Sequence, residues 1–386
     1  MTTQTSSAFA TVEQLNQNYG MRARELHAQG KKVIGYLCAL TPVDIIAAAG
    51  FIPMRVKGSV NEPITKADTQ METIVCPVVR SCYDLTVKGS YDYLSGVIIP
   101  HACDSINRTY DIWKNTLDLP YTHMINMPHA TDASSLAFYK EILKTFRKSL
   151  GKFAGKEISD AALAQSIQEY NQLRLKVRDL YEFRKSSPPL ISGAEVTKVL
   201  VAAMSIPVME AVTLIDSIIA EVKTRQAATG NRTPRIMVVG ADIDDASFIN
   251  LVETSGASVV VDDLCPGTRE YWEIVEVTAD PVDGLADRYL NGVKCGRTYR
   301  EQKGTYAEHL QDRYCHIGNF VKDFKVDGVI LFIYKYCDSF GFEVPAMKDY
   351  VKTLNKPVLY LEDEYSQASM ARLKTRIQAF LEILGS

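Results

Sequence analysis

Short apolar runs bounded by turn residues and alternating with helices fill both ends of this chain. That alternation restricts it to parallel sheets with helices on both faces. In the first part the runs are residues 33–37, 51–56, 96–102 and 121–127, and in the last part 235–239, 258–262, 328–334 and 357–361. Between them the pattern predicts helices over 11–29, 43–49 and 77–87, and later over 245–254, 281–291, 306–323, 345–354 and 366–384. Thr41-Pro42 reads as an N-cap and first-turn pair, and Gly50 as the matching stop. Residues 133–228 carry helical periodicity, interrupted at Ser187-Pro188-Pro189, and no strand pattern. The expected class is α/β: two Rossmann-like lobes with parallel sheets, residues 9–132 and 231–386, plus a helical connecting segment or cap, residues 133–230. The halves look like one topology used twice, and 386 residues suffice for two such cores.

Composition narrows the function. A net charge of −3 argues against a broad nucleic-acid surface. The most apolar stretch, 199–222, is broken by Pro207, Glu210 and Asp216 and reads as two packed helices, not a membrane span. The first eight residues lack a basic start and an apolar run, so they read as a disordered tail and not a signal peptide. A cytoplasmic location follows as the expectation.

Eight cysteines without a secretory signal point away from disulfides and leave metal ligation or plain burial. No CxxC occurs, which excludes the compact ferredoxin run and the paired zinc knuckle; any metal site is assembled from distant segments. Ligands of an open parallel sheet bind beyond the carboxyl ends of its strands. Cys38, Cys103, Cys265 and Cys337 each fall at or just past such an end, and Cys76 stands at a helix start, where the dipole favours a thiolate. Cys295 lies in a loop between Lys294 and Gly296. Burial is the competing account of any one cysteine, since free cysteine is among the most buried residue types. Cys82 follows Cys76 by six positions on one helix, about 240° around it, so the two do not share a metal. Cys315, inside a helix between Tyr314 and His316, is expected in the core.

Other motifs are weaker. Gly151-Lys152-Phe153-Ala154-Gly155-Lys156-Glu157 has the wrong spacing for a phosphate loop and lacks the Ser/Thr after lysine. No GxGxxG follows Val239. With no evident nucleotide site, electrons for a redox centre come from a partner. His101 is a candidate proton donor, with a satisfied strand-end histidine as the alternative. Asp262-Asp263 and Glu362-Asp363-Glu364 read as solvated turns without a catalytic role.

Several segments together resemble the 2-hydroxyacyl-CoA dehydratases and ATP-dependent benzoyl-CoA reductases. They are Gly35-Tyr36-Leu37-Cys38 with Pro42, Cys76-Pro77-Val78-Val79-Arg80-Ser81, Pro100-His101-Ala102-Cys103-Asp104, Val326-Asp327-Gly328-Val329 with Cys337-Asp338, and Val358-Leu359-Tyr360-Leu361-Glu362 with Tyr365-Ser366. The likeness covers about residues 35–366. It implies Cys76, Cys103 and Cys337 as ligands of a [4Fe-4S] cluster. The double-cubane cluster proteins within that family are similar at Cys38, Cys265 and Cys295 as well, which implies an [8Fe-9S] double cubane. The resemblance further implies an oxidoreductase that is sensitive to oxygen and works anaerobically. Its electrons come from a separate ATP-hydrolysing [4Fe-4S] activator or reductase. It pairs as a homodimer, or a heterodimer with a homologous subunit, and its substrate is a CoA thioester or a small unsaturated molecule. A dehydratase subunit with one [4Fe-4S] cluster, or a non-catalytic electron-relay subunit, are the alternatives. Neither a nucleic acid nor a membrane is an expected partner.

Overall fold

The computed structural model describes residues 7–226, 232–370 and 372–385. Its first sheet contains β1 (Val33–Tyr36), β2 (Ile52–Arg55), β3 (Leu94–Pro100) and β4 (Thr122–Ile125), in the spatial order β2-β1-β3-β4. The second contains β5 (Arg235–Gly240), β6 (Ser258–Asp263), β7 (Gly328–Tyr334) and β8 (Val358–Asp363), in the order β6-β5-β7-β8. Every pairing is parallel. Both sheets therefore follow one winding, as the sequence pattern suggested. Strands β1, β5 and β7 are buried along their whole length, which is why they read as continuous apolar runs without alternation.

In each sheet the chain goes first to one side of its opening strand and then returns to the other. The reversal opens a crevice beyond the carboxyl ends of β1 and β3, and its twin beyond β5 and β7. At the second crevice Gly240 lets β5 and β7 approach: a Cβ there stands 2.2 Å from the Phe332 carbonyl oxygen. The long helices Ala133–Ala154, Asp160–Glu182, Gly193–Ala203 and Val208–Lys223 form the strand-free middle. One apolar cluster joins these helices to the second sheet through Val199, Ile215, Met237 and Val329. Another runs from Val97 and Trp113 in the first sheet region to Val238 and Phe332 in the second. The helix Pro281–Asp287 crosses to pack with the first sheet region, burying Val282 and Leu285 beside Tyr139 and Ile34. No helix among the described residues is long and apolar enough to cross a membrane.

Several local expectations need correction. The helix expected over 11–29 is two helices, Ala8–Gln17 and Met21–Ala28, split at Gly20. Gly20 has φ +80°, and a Cβ there meets the Tyr93 hydroxyl at 2.1 Å, so the break is set by tertiary packing. Ala8 belongs to this helix and is buried, not part of a loose tail; residues 1–6 lie outside the described residues. The expected boundary at 230/231 also falls outside them. Thr41 does not cap: the helix Val43–Ala48 starts from Pro42, and Thr41 Oγ1 is buried without a hydrogen-bond partner. The closing helix is two pieces, Gln367–Met370 and Leu373–Gly385.

Candidate functional site

Cys38 lies just past β1, Cys103 past β3, Cys265 past β6 and Cys337 past β7. The crossover after β2 ends at Cys76, which stands directly before the helix Pro77–Val87. Cys103 and Cys337 hold the same position before the helices Asp104–Thr116 and Asp338–Gly341. All three sulfurs are therefore aimed by a helix start, where several backbone N–H groups have no partner inside the helix. The N–H groups of Val78 and Val79 favour the Cys76 thiolate, that of Ile106 favours Cys103, and that of Phe340 favours Cys337. The Cys76 N–H donates to Ser105 Oγ at 3.4 Å, tying the first two helix starts together. Tyr336, with φ +64°, holds the left-handed turn that presents Cys337.

The six cysteines lie near enough to influence one another's charge, and Cys82 also senses Cys76. Cys103 senses Cys76 and Cys337, and Cys337 senses Cys76. Cys265 senses Cys38 and Cys295, and Cys38 senses Cys295. Cys337 also senses Cys295. Each of these sets of three takes two cysteines from one end of the chain and one from the other. Burial dominates their acid–base behaviour: it pushes Cys38 up to about 12 and Cys76 up to about 11, and raises Cys103, Cys265 and Cys337 as well.

Cationic groups offset that burial. Arg269 Nη1 donates to Cys265 Sγ at 3.4 Å. Arg55 lowers the Cys38 thiol, and Arg297 lies among Cys295, Cys38 and Cys103. Yet Arg55 Nε and Nη1, and Arg297 Nε and Nη1, are buried without acceptors among the described residues. A buried donor without an acceptor costs about 1–3 kcal/mol. Orphaned guanidinium donors around soft thiols suit an anionic group with sulfur acceptors, which an iron–sulfur cluster is. No three His, Cys, Asp or Glu side chains among the described residues converge closely enough for a single metal ion.

The remaining sequence candidates divide. Cys82 is 3% exposed, with its Sγ toward the Val56 carbonyl at 3.8 Å and apolar neighbours, so it is packing. Cys315 is only half-buried, its Sγ toward the Asp312 carbonyl; the helix buries Leu310, Tyr314 and Ile317 instead, so the core expectation for Cys315 fails. His101 is half-buried, with Nδ1 at 3.3 Å from Asn126 Oδ1 and its ring edge-on to His129 at 5.2 Å. His129, which the sequence did not single out, sits by Arg297 with Nδ1 at 3.0 Å from its carbonyl. Asp262 and Asp263 are not solvated: Asp262 accepts from Tyr181 at 2.6 Å and Arg184 at 3.2 Å, and Asp263 pairs with Arg269 at 3.1 Å. Asp363 is likewise buried, while Glu362 and Glu364 are exposed. Sequence reasoning missed Arg55 and Arg297; the one available signal was a lone cationic residue at a strand end and another two positions after Cys295.

Fold and site together define an α/β protein of two like-wound parallel sheets with a thiol-rich joint between them. Residues 38–384 match the family model of the 2-hydroxyglutaryl-CoA dehydratase D-component, and the chain belongs to that family. It is 25% identical to the (R)-phenyllactyl-CoA dehydratase beta subunit of Clostridium sporogenes, over 94% of each chain. It is 24% identical to the beta subunit of lactoyl-CoA dehydratase from Anaerotignum propionicum, over 92% of each. It is 26% identical to one of the subunits of benzoyl-CoA reductase from Thauera aromatica, over 90% of this chain and 89% of that one. The chain is thus an enzyme component of the dehydratase and benzoyl-CoA reductase type.

Proposed function

We propose that this chain is the iron–sulfur component of a low-potential reductase, with Cys38, Cys76, Cys103, Cys265, Cys295 and Cys337 as ligands of an [8Fe-9S] double cubane. The observation that carries this reading is the placement of Cys38, Cys103, Cys265 and Cys337 past strand ends and of Cys76 before a helix start, beside guanidinium donors of Arg55 and Arg297 that lack acceptors among the described residues. A cluster bound there supplies one-electron reduction at low potential. The protein's own part is to hold the thiolates on helix starts, exclude water, and offset the negative charge with Arg55, Arg269 and Arg297. His101, beside His129, is the proton donor in this reading. Electrons come from a separate ATP-hydrolysing [4Fe-4S] protein, because the chain carries no phosphate loop. The substrate is a CoA thioester or a small unsaturated molecule, and the protein works in the cytoplasm. It pairs two-fold with itself or a homologous subunit, using the helical segment 133–230 that separates lobes 9–132 and 231–386. Phe138, Leu175 and Met209 are exposed on that segment.

The test is an iron and acid-labile sulfide assay on anaerobically purified protein, with mass by light scattering. Eight irons per chain, the number in an [8Fe-9S] group, and a dimeric mass are expected; no iron refutes the reading. The names of two of the relatives above favour one second reading, a dehydratase subunit with a single [4Fe-4S] at Cys76, Cys103 and Cys337. Four irons per chain, as that group contains, would select it.

A further inference from the structure

Several buried charges gather around Arg55 and Glu270. Asp44 accepts from Arg174 through both guanidinium ends at 3.1 Å and from the Tyr289 hydroxyl at 2.8 Å. Asp242 accepts from Arg55 at 2.7 Å. Glu270 differs: it is 5% exposed, its Oε2 accepts no hydrogen bond among the described residues, and it faces Arg55 Nη1 at 3.8 Å. Arg288 donates to the Glu270 backbone carbonyl, while its Nη1 has no acceptor. With Glu270 ionised, Asp44, Asp242 and Glu270 balance Arg55, Arg174 and Arg288.

We propose that Glu270 takes up the proton that accompanies an electron delivered to the cysteine-lined joint, keeping the buried charge balanced. This deepens the iron–sulfur reading and rests on it. An electron placed beside Arg55 adds a negative charge in an interior that screens poorly, where unit charges act on each other several times more strongly than in water. Asp44 is fully hydrogen-bonded and Asp242 is tied to Arg55, so the cheapest carboxylate to neutralise is the one without donors. Burial pushes Glu270 up to about 7, against the pull of Arg55, Arg288 and Arg174 and with the push of Asp44. The phenols that face it, Tyr36, Tyr170, Tyr271 and Tyr289, are all raised above their ordinary range and stay protonated near neutrality. Glu270 is then a group of this cluster that changes charge there. A cavity of about 20 Å³, lined by Glu270, Tyr170, Met204 and Val208, has room for one water as a proton carrier.

The balance is simple. On the iron–sulfur reading a one-electron reductant would lose one electron to the iron–sulfur group held at the joint; one proton leaves the solvent, an O–H bond forms on Glu270, and no protein bond breaks. The test uses full-length, anaerobically purified protein, with iron content measured first and Ti(III) citrate as the reductant. The midpoint potential of the wild type is expected to fall with rising pH around neutrality, approaching 59 mV per pH unit for one proton per electron. Glu270→Gln should abolish that slope with iron unchanged, and Glu270→Asp should keep it with its bends displaced along the pH axis. A wild-type potential independent of pH, or an unchanged slope in Glu270→Gln, overturns the proposal. Should Glu270→Gln fail to load iron, reduction-induced infrared difference spectra of the wild type decide. A protonated carboxyl band appearing on reduction, and displaced in Glu270→Asp, supports the proposal, and its absence overturns it. A wild type without iron overturns the cluster reading instead, which the first measurement separates.

Discussion

Arg55, at the end of the second strand of one sheet, donates to Asp242, just past the first strand of the other, at 2.7 Å. This ion pair joins the two crevices, and its guanidinium is 2% exposed. Removing one partner of a buried pair leaves the other charge unmatched, at a cost of about 3–5 kcal/mol. Arg55→Met should lose stability of that order in urea unfolding of the cluster-free protein. Pairing it with Asp242→Leu should restore part of the loss, because the stranded charge is gone.

Cysteine substitutions should sort the ligands. A hydroxyl is a hard and poor replacement for a thiolate toward iron. Cys337→Ser is expected to prevent cluster assembly, measured as iron per chain. Cys82→Ser and Cys315→Ser should leave the iron content unchanged, Cys82→Ser costing some stability through its buried position. Iron lost in Cys82→Ser would assign that sulfur a role its apolar surroundings do not suggest.

His123 gives a pH-dependent contribution away from the thiols. It packs between Tyr121 and Phe146, and burial pushes its imidazole down to about 4. The unfolded chain binds the proton below about 6.5 and the folded chain only below about 4, so the unfolded state holds more protons between them. Stability from this site is whole above pH 6.5 and is lost as pH falls toward 4. The loss is on the order of 3 kcal/mol in all. His123→Phe should remove this dependence, seen as the difference between the two proteins' melting temperatures across that window.

Gly20 is a test of tertiary control over a helix break. Gly20→Ala combines an unfavourable left-handed backbone with a contact on the Tyr93 hydroxyl. A loss of at least about 1–2 kcal/mol in thermal unfolding is expected. A neutral result would mean that the segment straightens into the single helix its periodicity suggests.

Much of the frame was legible because it rests on local pattern. The apolar runs that became β5 and β7 carry no alternation, and the Cys76-Pro77 junction is a helix start whichever way the chain folds around it. Strand ends could be read, so the crevice cysteines could be too. The charged surroundings could not: Arg55, Asp242, Glu270 and Arg297 come from separate segments, and only the packing of one sheet region on the other brings them together. The same cause hid Asp262, whose partners Tyr181 and Arg184 come from the end of a helix and the turn after it, far away in sequence, and Asp263, which His316 approaches from another distant helix. Cys315 misled for a simpler reason: neighbours in a helix face different ways, and Tyr314 took the inward side.

The mixing of the two groups of cysteines has a consequence for biosynthesis. If the proposed ligands are right, Cys76 and Cys103 need Cys337, and Cys38 needs Cys265 and Cys295, so neither half of the chain can complete a group alone. At roughly 5–20 residues per second, the ribosome emits Cys103 roughly ten to thirty seconds before Cys265. Throughout that interval the nascent first sheet holds its thiols without their counterparts. On the proposed assignment, metal loading would wait for the finished polypeptide, and an oxidant would have its best opportunity while the protein is still being made.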